Sequence, residues 1–237
     1  LFASERDRQA VLGDAGGIVM PNAVDLEYWR RSAPVAAGRR IAFTGVMAYR
    51  PNHDAAMRLV GDVLPRVRAR QPSAELVVAG RDPLPALRAA AGAGQGVEVT
   101  GACADLRPHV EEAAVYCAPL RFAAGIQNKL LEALAMEVPV VTTPVAAAGL
   151  RVAGEDAPMV VAEDDDDLAD AIARLLDDPA ERRRLGTAGR RFVERHFSWD
   201  RSVALLEHAI ADAVAGAAPA PPPRPRREDL RTAVRPS

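Results

Sequence analysis

Apolar positions run along most of the chain in two alternating rhythms. Short continuous apolar runs at residues 40–44, 75–79, 97–100, 115–118 and 139–142 read as strands, closing at Gly45, Gly80, Gly101, Pro119 and Thr142. Between them the period lengthens to that of a helix. Residues 52–70 put Ala56, Leu59, Val60, Val63, Leu64 and Val67 on one face. Residues 83–91, 106–113 and 126–136 continue the helical pattern, with Asp105 placed to cap the second of these. Strands alternating with helices across short Gly/Pro turns imply βαβ units. The expected fold class is therefore α/β, a doubly wound parallel sheet of Rossmann-like form. Ligands of such sheets bind beyond the carboxyl ends of the strands.

The flanks read differently. Residues 165–177 and 179–196 are helical, the latter with Pro179 in its first turn, and Ser198 caps a helix over 199–214. Residues 1–12 read as a short charged helix, and 17–20 as a strand-like run that stops at Pro21-Asn22. The expected division is 1–30, a linker at 31–39, the alternating α/β unit with its following helices at 40–198, a terminal helix at 199–215 and a disordered Pro/Arg tail at 216–237.

Composition narrows the chemistry. The net charge of −2 gives no bulk electrostatic reason to expect nucleic acid or an anionic membrane. Cys103 and Cys117 lack the company of a zinc site or a disulfide framework and read as reduced thiols of a cytoplasmic protein. Apolar residues make up 49% and aromatics only 4%, so the core must be built of Ala, Val and Leu. Among 30 basic residues, Lys129 is the only lysine, and the chain holds three asparagines, Asn22, Asn52 and Asn128. Residues kept against so strong a bias mark positions where the substitute fails, and lysine's compact ammonium differs from arginine's planar fork.

That points to residues 119–143. After a strand, small residues Ala123, Ala124 and Gly125 allow close approach to the backbone. A helix then begins, and its first N–H groups lack intrahelical partners, which makes an anion site. Asn128, Lys129 and Glu132 fall on one side of it, and Leu130, Leu131, Leu134 and Ala135 on the other. An ammonium suits a diphosphate, and a carboxylate suits ribose hydroxyls. The same pattern also fits a solvated face carrying a Lys/Glu pair.

The run Gly125-Ile126-Gln127-Asn128-Lys129, continued by Glu132 and Pro139-Val140-Val141, resembles the nucleotide-binding motif in the C-terminal half of GT-B-fold, family-4-type glycosyltransferases. Its form is similar to sugar transferases of exosortase and exopolysaccharide systems. Pro21 to Asp25 resembles the family's hinge motif, with Ala23 for the usual glycine. Phe43-Thr44-Gly45 with Pro51-Asn52 and Asp54-Ala55 resembles the first strand and helix entry. Val99-Thr100-Gly101 with Asp105-Leu106 resembles the loop bordering the base.

The resemblance implies a retaining transfer from a nucleotide-sugar to a glycan or lipid-linked acceptor, without cofactor or metal. The full-length enzyme would associate peripherally with the cytoplasmic face of a membrane. It implies a site of Gly45, Arg50, Gly101, Gly125, Ile126, Gln127, Asn128, Lys129 and Glu132. It also implies that residues 1–30 are the remnant of an acceptor domain and 199–215 a crossover helix. The chain, opening on Leu1, would then carry mainly the donor half, bind nucleoside diphosphates weakly and fail to transfer sugar.

Two departures stand out. The family's paired glutamates have seven residues between them, and Ala124 holds the first position while Glu132 matches the second. The family's Gly-Arg after the first strand is Gly45-Val46 here, with Arg50 as the substitute cation. The alternatives are a GT-B-fold nucleotide-sugar epimerase and a non-catalytic nucleotide-binding module. A dehydrogenase is disfavoured because Gly-x-Gly-x-x-Gly does not follow the first strand.

Other clusters read as structural. The acids at 163–167 precede an amphipathic helix and favour its dipole rather than a metal. Arg182 to Arg184 and Arg190-Arg191 read as a solvated helix face, and the four histidines are scattered.

Overall fold

The computed structural model describes residues 2–3, 5–13, 16–32, 38–93, 96–152 and 154–214. Five strands close one sheet around the expected runs: β1 (Arg40–Thr44), β2 (Glu75–Ala79), β3 (Val97–Gly101), β4 (Val115–Ala118) and β5 (Val140–Thr142). A sixth, β6 (Val160–Val161), was not expected. Every pairing is parallel and the order is β3-β2-β1-β4-β5-β6. The chain reverses its winding between β1 and β4, which opens a crevice above their carboxyl ends. β1, β2 and β4 are buried almost throughout, as both faces of a parallel sheet under helices require.

The helices are α1 (Glu5–Leu12), α2 (Arg50–Arg58), α3 (Leu64–Arg70), α4 (Pro85–Ala93), α5 (Arg107–Glu111), α6 (Asn128–Ala135), α7 (Pro144–Ala147), α8 (Asp165–Asp177), α9 (Pro179–His196) and α10 (Trp199–Val214). A π-turn at Leu59–Val63 joins α2 to α3 just before Pro65, whose missing N–H would break a regular helix there. Asp105 accepts a bond from the Arg107 N–H at 2.9 Å, but Leu106 holds the cap position of the short α5. The strand-like run at 17–20 makes one parallel bridge, Val19 to Phe2, and joins no sheet.

The core is mostly Ala, Val and Leu, as the composition required. The acids before α8 cap it, Asp164 accepting from the Asp167 N–H at 2.8 Å. They also pair across to the preceding layer: Asp165 with Arg58 at 2.5 Å and Asp166 with Arg66 at 2.8 Å.

Arg183, Arg184 and Arg191 of α9 are exposed as expected, but Arg182 and Arg190 correct the expectation of a solvated face. Arg182 is buried and donates to the carbonyls of Leu175 and Leu176, closing the C-terminus of α8. Arg190 donates to the carbonyls of Leu26, Trp29 and Ala135, tying the 21–32 segment to the domain. Their positive forks satisfy the last carbonyls of α8 and α6, and for Arg190 two loop carbonyls as well.

The start of α10 meets that segment, with Ser202 donating to the Pro21 carbonyl at 3.3 Å and Val24 bridged to Ser198. Further along, Val203, Leu206 and Ile210 are exposed. Phe197 is fully buried against Phe192 while Trp199 stands 60% exposed, so the two aromatics do not form one core pair. Residues 33–37 of the expected linker and the 216–237 tail lie outside the described residues.

Candidate functional site

A cleft of about 460 Å³ lies over the carboxyl ends of β3, β2 and β1. One end is walled by α6 through Asn128, Lys129 and Glu132, with Ile126 just before it. Gly45 and Gly80 form the floor. The far end is Arg81, Ala102, Cys103 and Leu106. This is the size of a small-molecule pocket at the switch point of the sheet.

The floor is backbone packed on backbone. A Cβ at Gly80 would fall 1.9 Å from the Gly45 carbonyl oxygen, and one at Gly45 would meet Asn52 Nδ2 at 2.7 Å. Beneath it, the buried Tyr116 hydroxyl lies 2.8 Å from Thr44 Oγ1 and accepts the Thr44 N–H at 3.1 Å. Burial raises the phenol's pKa, so it stays a neutral strut.

Helix α6 starts at Asn128, two residues later than the periodicity implied. Gly125 turns the chain at φ 59° and Gln127 is extended at its cap, donating its Nε2 to the Ala124 carbonyl at 3.0 Å. Gly125 and Gln127 thus shape the turn without lining the cleft, and Ile126 lines it. The turn is held close by Gly149, where a Cβ would stand 2.2 Å from the Gly125 oxygen.

Lys129 reaches back under the helix. Its Nζ donates to Asn52 Oδ1 and lies 4.9 Å from the centre of the Phe43 ring. Burial lowers its pKa to about 8, against the attraction of Glu132. Burial likewise pushes Glu132 up to about 6, against the attraction of Lys129. At neutral pH the cleft therefore holds an ammonium and a carboxylate, both short of water.

Of the nine expected residues, Gly45, Ile126, Asn128, Lys129 and Glu132 line the cleft. Gly101 sits buried at φ 72° just before the lining residue Ala102. Arg50 does not reach it, lying at the start of α2 with its guanidinium 5.9 Å from the Phe122 ring. Asn52 was legible as a retained asparagine but not as a site residue. Leu106 was legible in the loop after β3, whereas Arg81 and Cys103 carried no local signal, because they follow different strands and meet only once the sheet is built.

A second hollow of about 190 Å³ shares Asn128 and Glu132 and brings together both tryptophans, Trp29 and Trp199. Among the described residues no group of three or more His, Cys, Asp or Glu is arranged to hold a metal. Nor is any described helix long and apolar enough to cross a membrane.

A doubly wound parallel sheet, with a cation and a helix N-terminus at its switch point, defines a Rossmann-like domain with an anion-competent cleft. Residues 38–178 match the family described as Glycosyl transferases group 1, and the chain belongs to that family. It is 37% identical over 113 residues to an MMP alpha-(1->4)-mannosyltransferase of Mycolicibacterium hassiacum, covering 45% of this chain and 27% of the relative. It is 27% identical over 203 residues to a GDP-mannose-dependent phosphatidylinositol monomannoside mannosyltransferase of Corynebacterium glutamicum, covering 76% of this chain and 52% of the relative. The chain thus spans about half, or less, of the length of these relatives. In three dimensions it resembles HepE of Anabaena crystallised with UDP and glucose. The TM-score is 0.68 at 14% identity, over 90% of this chain and 62% of the other, a likeness of fold.

Proposed function

We propose that the protein transfers a sugar from a nucleotide-sugar donor and that this cleft binds the donor's nucleoside diphosphate. The observation that carries the reading is the side of α6 facing the cleft, where Asn128, Lys129 and Glu132 stand over the switch point. The diphosphate sits against the Lys129 ammonium and the first N–H groups of α6. Glu132 accepts the ribose hydroxyls, and the base lies toward Ala102, Cys103 and Leu106 at the far end.

In transfer, the bond from the sugar's anomeric carbon to the diphosphate oxygen breaks as the acceptor oxygen bonds to that carbon on the same face, and the acceptor's hydroxyl proton passes to the departing diphosphate. Charge then collects on the leaving diphosphate, where the ammonium and helix dipole stabilise it. No cofactor enters this scheme. The HepE complex with UDP and the GDP-mannose dependence in the Corynebacterium relative's name support a nucleotide-sugar donor. That relative's name also supports a lipid-linked or glycan acceptor. Retention of anomeric configuration follows from the family resemblance.

Titration calorimetry with UDP and GDP tests the reading, beside a transfer assay with labelled nucleotide-sugars. The chain is expected to bind at least one of the two diphosphates. Lys129→Ala is expected to weaken that binding by at least tenfold, about 1.4 kcal/mol, without lowering the unfolding temperature. Equal affinity in Lys129→Ala would overturn the assignment.

A further inference from the structure

We propose that Asn52 is a positioning residue of this cleft, whose neutral carboxamide sets the Lys129 ammonium toward the diphosphate while pinning the loop after β1. The proposal rests on the nucleotide reading above and assigns a residue that the motif resemblance does not.

Asn52 is buried at 7% exposure in the first turn of α2. Its Nδ2 donates to the Val46 carbonyl at 3.0 Å, which fixes the orientation of the amide. Its Oδ1 is thereby turned to Lys129 and accepts the Nζ proton. One group must donate and another accept, two bonds from the backbone, and the whole must stay uncharged. Aspartate has no proton for Val46 and would cancel the ammonium, a serine hydroxyl places both functions on one atom, and glutamine is a methylene longer.

Gly45 supports the same conclusion from the other side. A methyl there would fall 2.7 Å from Asn52 Nδ2 and 3.3 Å from Lys129 Nζ, so the β1 terminus is left bare where these two groups meet. Asn128 has a carboxamide partner as well, since Asn22 Nδ2 donates to its Oδ1 at 2.9 Å. The chain's three asparagines thus divide into one that holds its single lysine, Asn52, and a pair, Asn22 and Asn128, bonded at the residue before it.

The other groups facing Lys129 do not replace this function. Among the described residues, Glu132 on the same helix is the charged group whose attraction bears on it. Phe43 of β1 offers a ring face, and Tyr116 of β4 below is neutral. Across the cleft, Arg81 has its guanidinium 3.8 Å from Asp82, and Cys103 carries a free thiol. With the carboxamide dipole removed, the ammonium loses a stabilising oxygen. With a carboxylate in its place, it gains an ion pair.

The single lysine makes the test direct, because a chain labelled with ¹³C-lysine gives one side-chain signal. Its titration is followed by NMR in the full chain, with and without UDP or GDP. The unsubstituted chain should titrate near pH 8 and shift upward when the diphosphate binds. Asn52→Asp should raise the free midpoint by more than one pH unit and weaken diphosphate binding at pH 7 by at least tenfold. Asn52→Ala should lower the midpoint and weaken binding as well. Opposite shifts in the two variants separate positioning from a general loosening of the fold, and either variant alone still tests the direction if the other fails to fold. A midpoint unmoved by both substitutions, with diphosphate binding intact, overturns the proposal. A lysine signal indifferent to both diphosphates in the unsubstituted chain overturns instead the nucleotide reading on which it rests.

Discussion

Gly149→Ala should damage the cleft without touching a residue that lines it. Gly149 lies in the 3₁₀ turn Ala148–Leu150 and is buried. An added Cβ would stand 2.2 Å from the Gly125 oxygen, 2.9 Å from the Gly125 carbonyl carbon and 3.3 Å from Ile126 Cα. A carbon–oxygen contact relaxes at roughly 3.3 Å, so one backbone must yield by about 1 Å. All three atoms belong to the turn that leads into α6. The strain therefore passes to the N–H groups and the ammonium at the start of that helix. Overpacking of this kind costs about 1–3 kcal/mol, which for a domain of this size lowers the unfolding temperature by about 2–12 °C. A shift of about 1 Å in a binding constellation costs on the order of tenfold or more. The assay is thermal unfolding beside UDP and GDP calorimetry, with Gly61→Ala as the comparison. Gly61 has open space around its Cβ position and lies in the π-turn, so alanine there should stabilise by about 0.5–1 kcal/mol and leave binding alone. If Gly149→Ala binds and melts as the unsubstituted chain does, the close approach of the two turns does not shape the site.

Glu132→Gln should stabilise the chain at pH 8 by up to about 2 kcal/mol while weakening nucleotide binding. The folded carboxyl titrates near 6, above its ordinary 4.5, so the penalty on its charge grows as pH rises from 4.5 to 6 and is complete above 6, and the gain should vanish toward pH 4.5 in urea unfolding. Nucleoside diphosphate affinity should fall as pH rises through about 8, where Lys129 loses its proton, and calorimetry across pH 7 to 9.5 checks it. Lys129→Arg keeps the charge at high pH but should bind at least tenfold less well, because Phe43 and Asn52 enclose a compact ammonium rather than a planar fork. Arg58→Ala should cost about 3 kcal/mol in urea unfolding, since it strips Asp165 of its 2.5 Å partner and frees the Pro119 carbonyl.

The parts of the fold that the sequence makes legible are those with a local cause. β2 and β4 end where apolar runs meet Gly80 and Pro119, and α8 and α9 begin at Asp164 and Asp178, whose side chains hold first-turn N–H groups. The two-residue β6 is too short to show a period, and the π-turn at Leu59–Val63 barely disturbs one. Arg182 and Arg190 look like surface charge because the carbonyls they satisfy are set by tertiary packing, in one case 164 residues away. The site divides in the same way. Lys129 and Glu132 share one helix and could be read from its pattern. Arg81 and Cys103 come from the ends of other strands, and Asn52 acquires its role only when α2 is laid against the start of α6.

A crystal structure of the chain soaked with whichever of UDP and GDP binds tests the central claim most directly. The account expects the diphosphate in the cleft, within hydrogen-bonding distance of Lys129 Nζ and the first N–H groups of α6, with ribose hydroxyls on Glu132 and the base near Cys103. A nucleotide seated elsewhere, or in the cleft with its phosphates turned away from Lys129, would contradict it.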